Sequence, residues 1–387
     1  MPQMNLPLLG EMGPISALNS DDSDISNGTL QGLGIPYPFY LNGFFEVVKN
    51  KPSDDARKIS FTKRPGIGGF LALSATYNKY RIQGVISSLD KTKILYFMNN
   101  GSNNRTAYFD GTTNTISVGN APAAAGNWTM VGPVVWTLLD GISYGANVYY
   151  AVTDFTKGAV VNSTGTWTEI TDADFTGLTK VTNFIGLDGY LFIGTSNNRI
   201  YNSDLNNSTS WTATSFITAA DTPGNLVWLG KIRNYLIAFK QYSLEFYEDT
   251  GNPTPGSPLT AQKALRKPIG LACKSSVQYV SDGIIFMGQS DNAYLGMFKL
   301  RYSDLGLEKI SDYSMDNLIN SRNTYSVNPN YSVDPTSDPV SGFVIANGES
   351  RTLSFQGKEF YLIDVSSMAL GSRRTYVWDN ELNVWTT

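Results

Sequence analysis

Between residues 188 and 251 the chain writes one figure twice. The turn dipeptide Asp188-Gly189 is followed by the apolar run Tyr190-Leu191-Phe192-Ile193, a polar tip at Thr195-Ser196-Asn197-Asn198, and a return through Arg199-Ile200-Tyr201. An Asn/Ser-rich loop follows, ending in Ser210-Trp211. The figure then restarts, with Arg233-Asn234 as the turn, Tyr235-Leu236-Ile237-Ala238-Phe239 as the strand and Ser243-Leu244-Glu245-Phe246-Tyr247 as the return. Two strand-turn-strand units about one blade-length apart predict a repeating β architecture.

Apolar strand starts align at Ile94, Val148, Tyr190, Tyr235, Ile284 and Phe343, with successive spacings of 54, 42, 45, 49 and 59 residues. The middle three match the roughly 40–50 residues of a four-stranded propeller blade, and the outer two require inserted loops. Most starts follow a turn signal: Asp188-Gly189, Arg233-Asn234, Asp282-Gly283, Ser341-Gly342. The runs are continuous rather than alternating, as in Ile284-Ile285-Phe286-Met287, which fits strands buried on both faces between radially stacked sheets. The expectation is an all-β chain forming a β-propeller, six-bladed, with an N-terminal extended arm.

That arm and the first strands cover residues 1–56, and the propeller covers 57–387. Residues 1 to about 38 are polar and turn-rich, with scattered apolar positions and no period. Strand patterns begin with Phe45-Glu46-Val47-Val48 and Arg57-Lys58-Ile59-Ser60-Phe61. Closure of the ring is expected where Thr375-Tyr376-Val377-Trp378 and Asn383-Val384-Trp385, joined by a tight hairpin at Asp379-Asn380-Glu381, share a sheet with a strand from residues 57–90. A long polar loop spans residues 320–342, and one helix is expected over Ser314 to Ser321.

Composition narrows the chemistry. Only 16% of the 387 residues are charged, against a usual value of roughly 25%. Low charge with 22 Tyr suits a surface that packs against other subunits. Net charge is −4 and no Lys/Arg run exceeds a pair, which excludes a nucleic-acid binder driven by counterion release. Histidine is absent, so His-based triads, general bases and metal ligands are excluded together. The single cysteine, Cys273, excludes an intrachain disulfide, and its apolar setting predicts a small core residue. Met1 to Asn19 has neither a basic n-region nor a long apolar core, which predicts no secretory leader. No run approaches the roughly 20 apolar residues of a membrane span.

Candidate motifs are few. Asp172 with Asp174, and Glu245 with Glu248 and Asp249, raise paired-carboxylate glycoside chemistry, but nothing in the sequence makes two of them converge. Asn162-Ser163-Thr164-Gly165-Thr166-Trp167, and Asp204 with Ser210-Trp211, resemble degenerate Asp-box turns of sialidase-type propellers, in which Asp/Ser and Trp fix a turn and do not catalyse. Arg199, Arg233, Arg266, Arg301 and Arg351 are too scattered for a sialidase arginine set. Pro65-Gly66-Ile67-Gly68-Gly69 lacks the Lys-Ser/Thr of a phosphate loop. No catalytic, cofactor-binding or metal-binding residue is assigned, and no cofactor is expected.

The stretch from Asp221-Thr222-Pro223-Gly224 through Ser243-Leu244-Glu245-Phe246-Tyr247 to Thr250-Gly251 resembles the packaged-DNA stabilisation proteins of short-tailed phages, also called tail nozzle or hub proteins. Tyr201-Asn202-Ser203-Asp204 with Ser210-Trp211, and the early turn Lys63-Arg64-Pro65-Gly66, fit the same resemblance, which covers residues 57 to 255. It implies a propeller subunit of a homohexameric ring in the virion tail, docked below the portal or its head-tail adaptor. It also implies a lumen in which genomic DNA makes transient, non-specific contact during ejection, and leaves contacts with tail fibre or needle proteins open. No enzymatic activity follows from it. The alternative is a propeller glycosidase or carbohydrate-binding module.

Overall fold

The computed structural model describes residues 43–48, 58–63, 81–87, 94–99, 104–109, 117–118, 134–139, 148–162, 167–252, 256–291, 294–313, 315–316, 319, 350–355, 358–367 and 372–386. Gly43–Val48 (β1) pairs with Lys58–Lys63 (β2) as a two-stranded ribbon. Six larger antiparallel sheets follow in chain order. Sheet 1 is Arg81–Ser87, Ile94–Asn99, Asn104–Phe109 and Ser117–Val118 (β3–β6). Sheet 2 is Val135–Leu138, Val148–Thr153, Gly158–Asn162 and Trp167–Glu169 (β7–β10). A short helix, Ala173–Thr176 (α1), leads to sheet 3: Lys180–Leu187, Tyr190–Thr195, Arg199–Asp204 and Asn207–Thr218 (β11–β14). Sheet 4 is Leu226–Ile232, Tyr235–Lys240, Leu244–Asp249 and Leu259–Ala261 (β15–β18). Sheet 5 is Gly270–Leu271, Gln278–Val280, Gly283–Gln289, Leu295–Arg301 and Leu307–Lys309 (β19–β23), and sheet 6 is Arg351–Phe355, Lys358–Ser367, Ser372–Asp379 and Val384–Thr386 (β24–β27).

The architecture is a β-propeller. Ile94, Val148, Tyr190 and Tyr235 each open the second strand of a sheet, and Ile284 lies one residue inside β21. The continuous apolar runs have the expected cause. In β16, Leu236 and Ala238 pack into the cluster shared with sheet 3, while Ile237 and Phe239 pack into the cluster shared with sheet 5. In β21, Ile284 and Phe286 face sheet 4 and Ile285 and Met287 face sheet 6. Alternation still operates, but both faces meet another sheet, so both must be apolar. Each such side chain, fully buried, contributes roughly 1.5–3 kcal/mol. Five apolar clusters of this kind join the six sheets in order.

Tight turns set the register. Leu187 pairs with Tyr190 and Ile232 with Tyr235, leaving two-residue loops. Asp188 and Gly189 both have positive φ, 49° and 86°, as a right-twisted hairpin requires. The turn expected at Asp282-Gly283 lies one residue earlier, because Val280 pairs with Gly283. Gly283 is a strand residue there, and a Cβ on it would come within 2.4 Å of the Leu300 carbonyl oxygen.

Several expectations are corrected. Five sheets have the uniform four-stranded form of a blade, not six. In sheet 5 the first strand is broken: β19 and β20 both pair with β21, on either side of the 3₁₀ turn Lys274–Ser276. Ser276 closes the gap. Its hydroxyl accepts from Met287 N at 2.9 Å and donates to Cys273 O at 2.6 Å. The described strands of sheet 6 are all C-terminal, and β2 and β3 belong to other sheets, so among the described residues no strand from 57–90 completes it. Residues 56 and 57, where the arm was expected to end and the propeller to begin, lie outside the described residues. Ser210-Trp211 lies within β14 rather than in a loop. The hairpin at Asp379-Asn380-Glu381 is present: Asp379 Oδ1 accepts from Glu381 N at 2.9 Å and Leu382 N at 3.0 Å. Tyr313, Met315, Asp316 and Ile319 are helical, and Met315 and Ile319 are buried. The arm up to residue 42, Arg64-Pro65-Gly66 with the glycines after it, and the start at Phe343 lie outside the described residues. No helix among the described residues is long and apolar enough to cross a membrane.

Candidate functional site

The stretch that carries the resemblance is a buried polar knot at the crossover from sheet 3 to sheet 4. Thr222 precedes Pro223, which favours extended backbone, and Gly224 takes φ 98°, so the chain turns sharply into β15. Lys240, at the end of β16, has a fully buried side chain. Its ammonium donates to Ala219 O at 2.8 Å, to Thr222 O, and to Glu245 Oε1 at 3.3 Å. Three N–H groups thus meet three acceptors. Glu245 Oε1 also accepts from Thr222 N at 2.9 Å and Thr222 Oγ1 at 2.5 Å. The Ser243 hydroxyl lies 2.5 Å from Thr222 Oγ1. Tyr247 donates to Glu245 Oε2 at 2.6 Å, and burial followed by the Glu245 carboxylate pushes its phenol far above the usual range. An ion pair survives burial only when its remaining donors and acceptors are satisfied, and here they are. The knot therefore pins the crossover.

Side-chain amides make a second set of ties between sheets 3 and 4. Asn183 Nδ2 donates to Leu229 O and its Oδ1 accepts from Leu229 N, both at 3.0 Å. Asn198 repeats the device, donating to Gly224 O at 3.2 Å and accepting from Leu226 N at 2.7 Å. In both cases one amide satisfies backbone groups that a strand would otherwise pair.

The other candidate carboxylates are occupied by the fold. Asp172 caps α1, with Oδ1 accepting from Asp174 N at 2.9 Å and Oδ2 from Trp211 N at 3.2 Å. Asp174 Oδ2 accepts from Ala213 N at 3.0 Å, holding a bulge of β14 against the helix. Glu248 takes Asn234 and Gln262 amides, and Asp249 takes Gly251 N. The arginines are scattered as expected: Arg199 lies over the Phe216 ring, Arg233 donates to Ser303 O, Arg266 to Asp221 O, and Arg301 pairs with Asp304 and Glu308. Arg351 is in β24. Among the described residues no group of three acidic or Cys side chains is placed to hold a metal.

The Asp-box-like turn at Asp204 has the structural role its residues suggest. Ser210 Oγ donates to Asp204 Oδ2 at 2.7 Å, Trp211 Nε1 donates to Ser208 O at 3.0 Å, and the indole packs 4.9 Å from Phe175. In the other copy residues 163–166 lie outside the described residues, while Trp167 Nε1 reaches Thr106 Oγ1 of sheet 1 at 3.0 Å. Cys273 is fully buried, as expected of a core residue. Sequence reasoning missed Lys180, whose ammonium lies 4.5 Å from the Phe175 ring centroid and donates to Leu178 O. Burial brings its pKa down to about 8, against an opposing pull from Asp154. A lone lysine before Val181-Thr182-Asn183 carries no sequence signal for this.

A search of curated proteins found no match. Among solved structures, YCF48 from Cyanidioschyzon merolae is similar at 11% identity and TM-score 0.42, over 84% of this chain and 86% of that one. BamB from Moraxella catarrhalis is similar at 11% identity and TM-score 0.37, over 79% and 83%. The Cps50 (Swd1) beta-propeller domain of Myceliophteria thermophila is similar at 10% identity and TM-score 0.38, over 59% and 72%. The model of the phage stabilisation family, described as Bacteriophage P22 Gp10, beta-propeller, matches residues 121–329, a span that contains sheets 2 to 5 and the whole Lys240–Glu245 knot. The chain belongs to this phage stabilisation family, and its role is a structural one in a phage particle.

Proposed function

We propose that this chain forms a homohexameric ring in the tail of a short-tailed phage, below the portal or its head-tail adaptor. The ring retains packaged DNA and lines the channel through which the genome leaves. The observation that carries this reading is the family match across residues 121–329, which places the chain among phage stabilisation propellers. Two physical features support it. A chain with 29 Lys and Arg against 33 Asp and Glu offers phosphates few net partners, so DNA slides past it with transient, non-specific contact. A ring of identical subunits needs a heterologous interface, and a surface low in charge and rich in Tyr suits one.

The test is genetic and biochemical together. Particles assembled without this chain are expected to package DNA and then lose it, leaving it open to nuclease. Particles that keep a nuclease-protected genome without the chain would contradict the retention role.

A further inference from the structure

First strands face the axis of the propeller, and those of successive sheets are joined there by polar contacts. Thr137 Oγ1 of β7 donates to Phe184 O of β11 at 2.5 Å, and Asn183 of β11 grips Leu229 of β15. Phe155 approaches that axis from elsewhere, in the turn between the second and third strands of sheet 2. Its backbone is left-handed, φ 68°, a costly conformation for an aromatic residue. The turn is built to hold it. Thr153 Oγ1 accepts from Phe155 N at 3.0 Å and donates to Lys157 O at 2.7 Å. Asp154 Oδ1 accepts from Thr156 N at 2.9 Å and Lys157 N at 2.7 Å.

The ring so presented meets residues of two further sheets. Trp228, on the first strand of sheet 4, lies with its ring centroid 6.5 Å from that of Phe155. Lys274, in the break of the first strand of sheet 5, places its ammonium 4.9 Å from the Phe155 centroid. The same ammonium donates to Val181 O, on the first strand of sheet 3, at 3.2 Å. Sheets 2 and 5 are not neighbours in the ring order given by the apolar clusters, and neither are 3 and 5. These contacts therefore run across the axis. Phe155 is only 7% exposed.

We infer that Phe155, Trp228 and Lys274 form a stopper that closes one mouth of the propeller axis and braces sheets 2 to 5 against one another. The broken first strand of sheet 5 has a use in this arrangement, because the break is what carries Lys274 to the axis. The brace also supplies a tie across the ring, where sheet 6 shares no strand with residues 57–90 among the described residues.

The test uses the full chain with Phe155→Leu, Lys274→Met and the double variant. Both single changes keep apolar bulk, so the fold is retained. Urea unfolding of the set should show a coupling of about two- to fivefold in the unfolding equilibrium constant, the size of a cation–ring contact. Lys274→Arg should keep that coupling. Hydrogen exchange should speed up in the first strands of sheets 3 and 4 when Lys274, in sheet 5, is changed. Strictly additive effects, or faster exchange confined to the sheet that carries each substitution, would overturn the inference.

Discussion

The seam between sheets 3 and 4 and the seam between sheets 5 and 6 are held by different kinds of polar contact. The first is tied by the buried Asn183 and Lys240–Glu245 pair and by the half-buried Asn198. The second joins Lys299 Nζ to Asp282 Oδ2 at 2.5 Å and to Asn380 Oδ1 at 2.9 Å, while Asn380 Nδ2 donates to Asp282 Oδ1 at 2.9 Å. Ser281 adds two bonds to Glu359, each 2.7 Å. The Lys240 side chain is 0% exposed and that of Asp282 is 54% exposed. Water competes for the second set far more than for the first. The buried seam should resist salt but fail sharply when one partner is removed. The exposed latch should lose little on mutation and respond to solution conditions.

The largest effect separating the two is expected at Glu245. Glu245→Ala leaves the Lys240 ammonium buried without its counter-ion and should cost about 3–5 kcal/mol in urea unfolding. Replacing both partners, as Lys240→Met with Glu245→Leu, should recover most of that loss. If the single variant were as stable as the native chain, the knot would not be what pins the crossover. Next in size, Asn183→Ala strips Leu229 of both backbone partners and should cost about 1–3 kcal/mol. Asn380→Ala at the exposed latch should cost less than about 1 kcal/mol, because water takes over its bonds. Equal costs at Asn183 and Asn380 would erase the distinction drawn between the seams.

Two pH effects sharpen it further. At Asp282, burial pushes the carboxyl up, but hydrogen bonds from Lys299 and Asn380 outweigh it and hold the group below the usual carboxylate range. A depressed carboxyl stabilises the fold above its unfolded value and loses that contribution as the pH falls through the folded one. Acid titration of thermal stability should therefore show a loss in the acid range that Asp282→Asn flattens. Lys180 acts in the same direction in a more alkaline window, here because burial disfavours its charged form. With a folded value near 8 the folded state releases its proton before the unfolded chain does, so stability should rise as the pH climbs from about 8 towards 10. Lys180→Met should remove that rise.

The repeat was legible because the second strands are apolar on both faces, and runs such as Tyr235-Leu236-Ile237-Ala238-Phe239 signal this directly. The first strands were not legible. Lys180-Val181-Thr182-Asn183 is polar in sequence, yet Lys180, Thr182 and Asn183 are buried, because their polar atoms find partners in the preceding loop, on the same sheet or on a neighbouring one. The break in the first strand of sheet 5 was hidden for a similar reason, since Ser276 replaces a backbone partner with a hydroxyl. The resemblance drew attention to Glu245 and Tyr247, but their partner Lys240 and the carbonyls it reaches emerge only in three dimensions. Phe155 shows no signal in the sequence, because its role depends on a left-handed turn and on two sheets far along the chain.

The most direct test of the central claim is the mass of the purified chain by light scattering, with negative-stain images of the same sample. A particle of six times the 42.4 kDa subunit mass, imaged as a ring with an open centre, is the predicted result. A stable single copy at the concentrations found during assembly would contradict it.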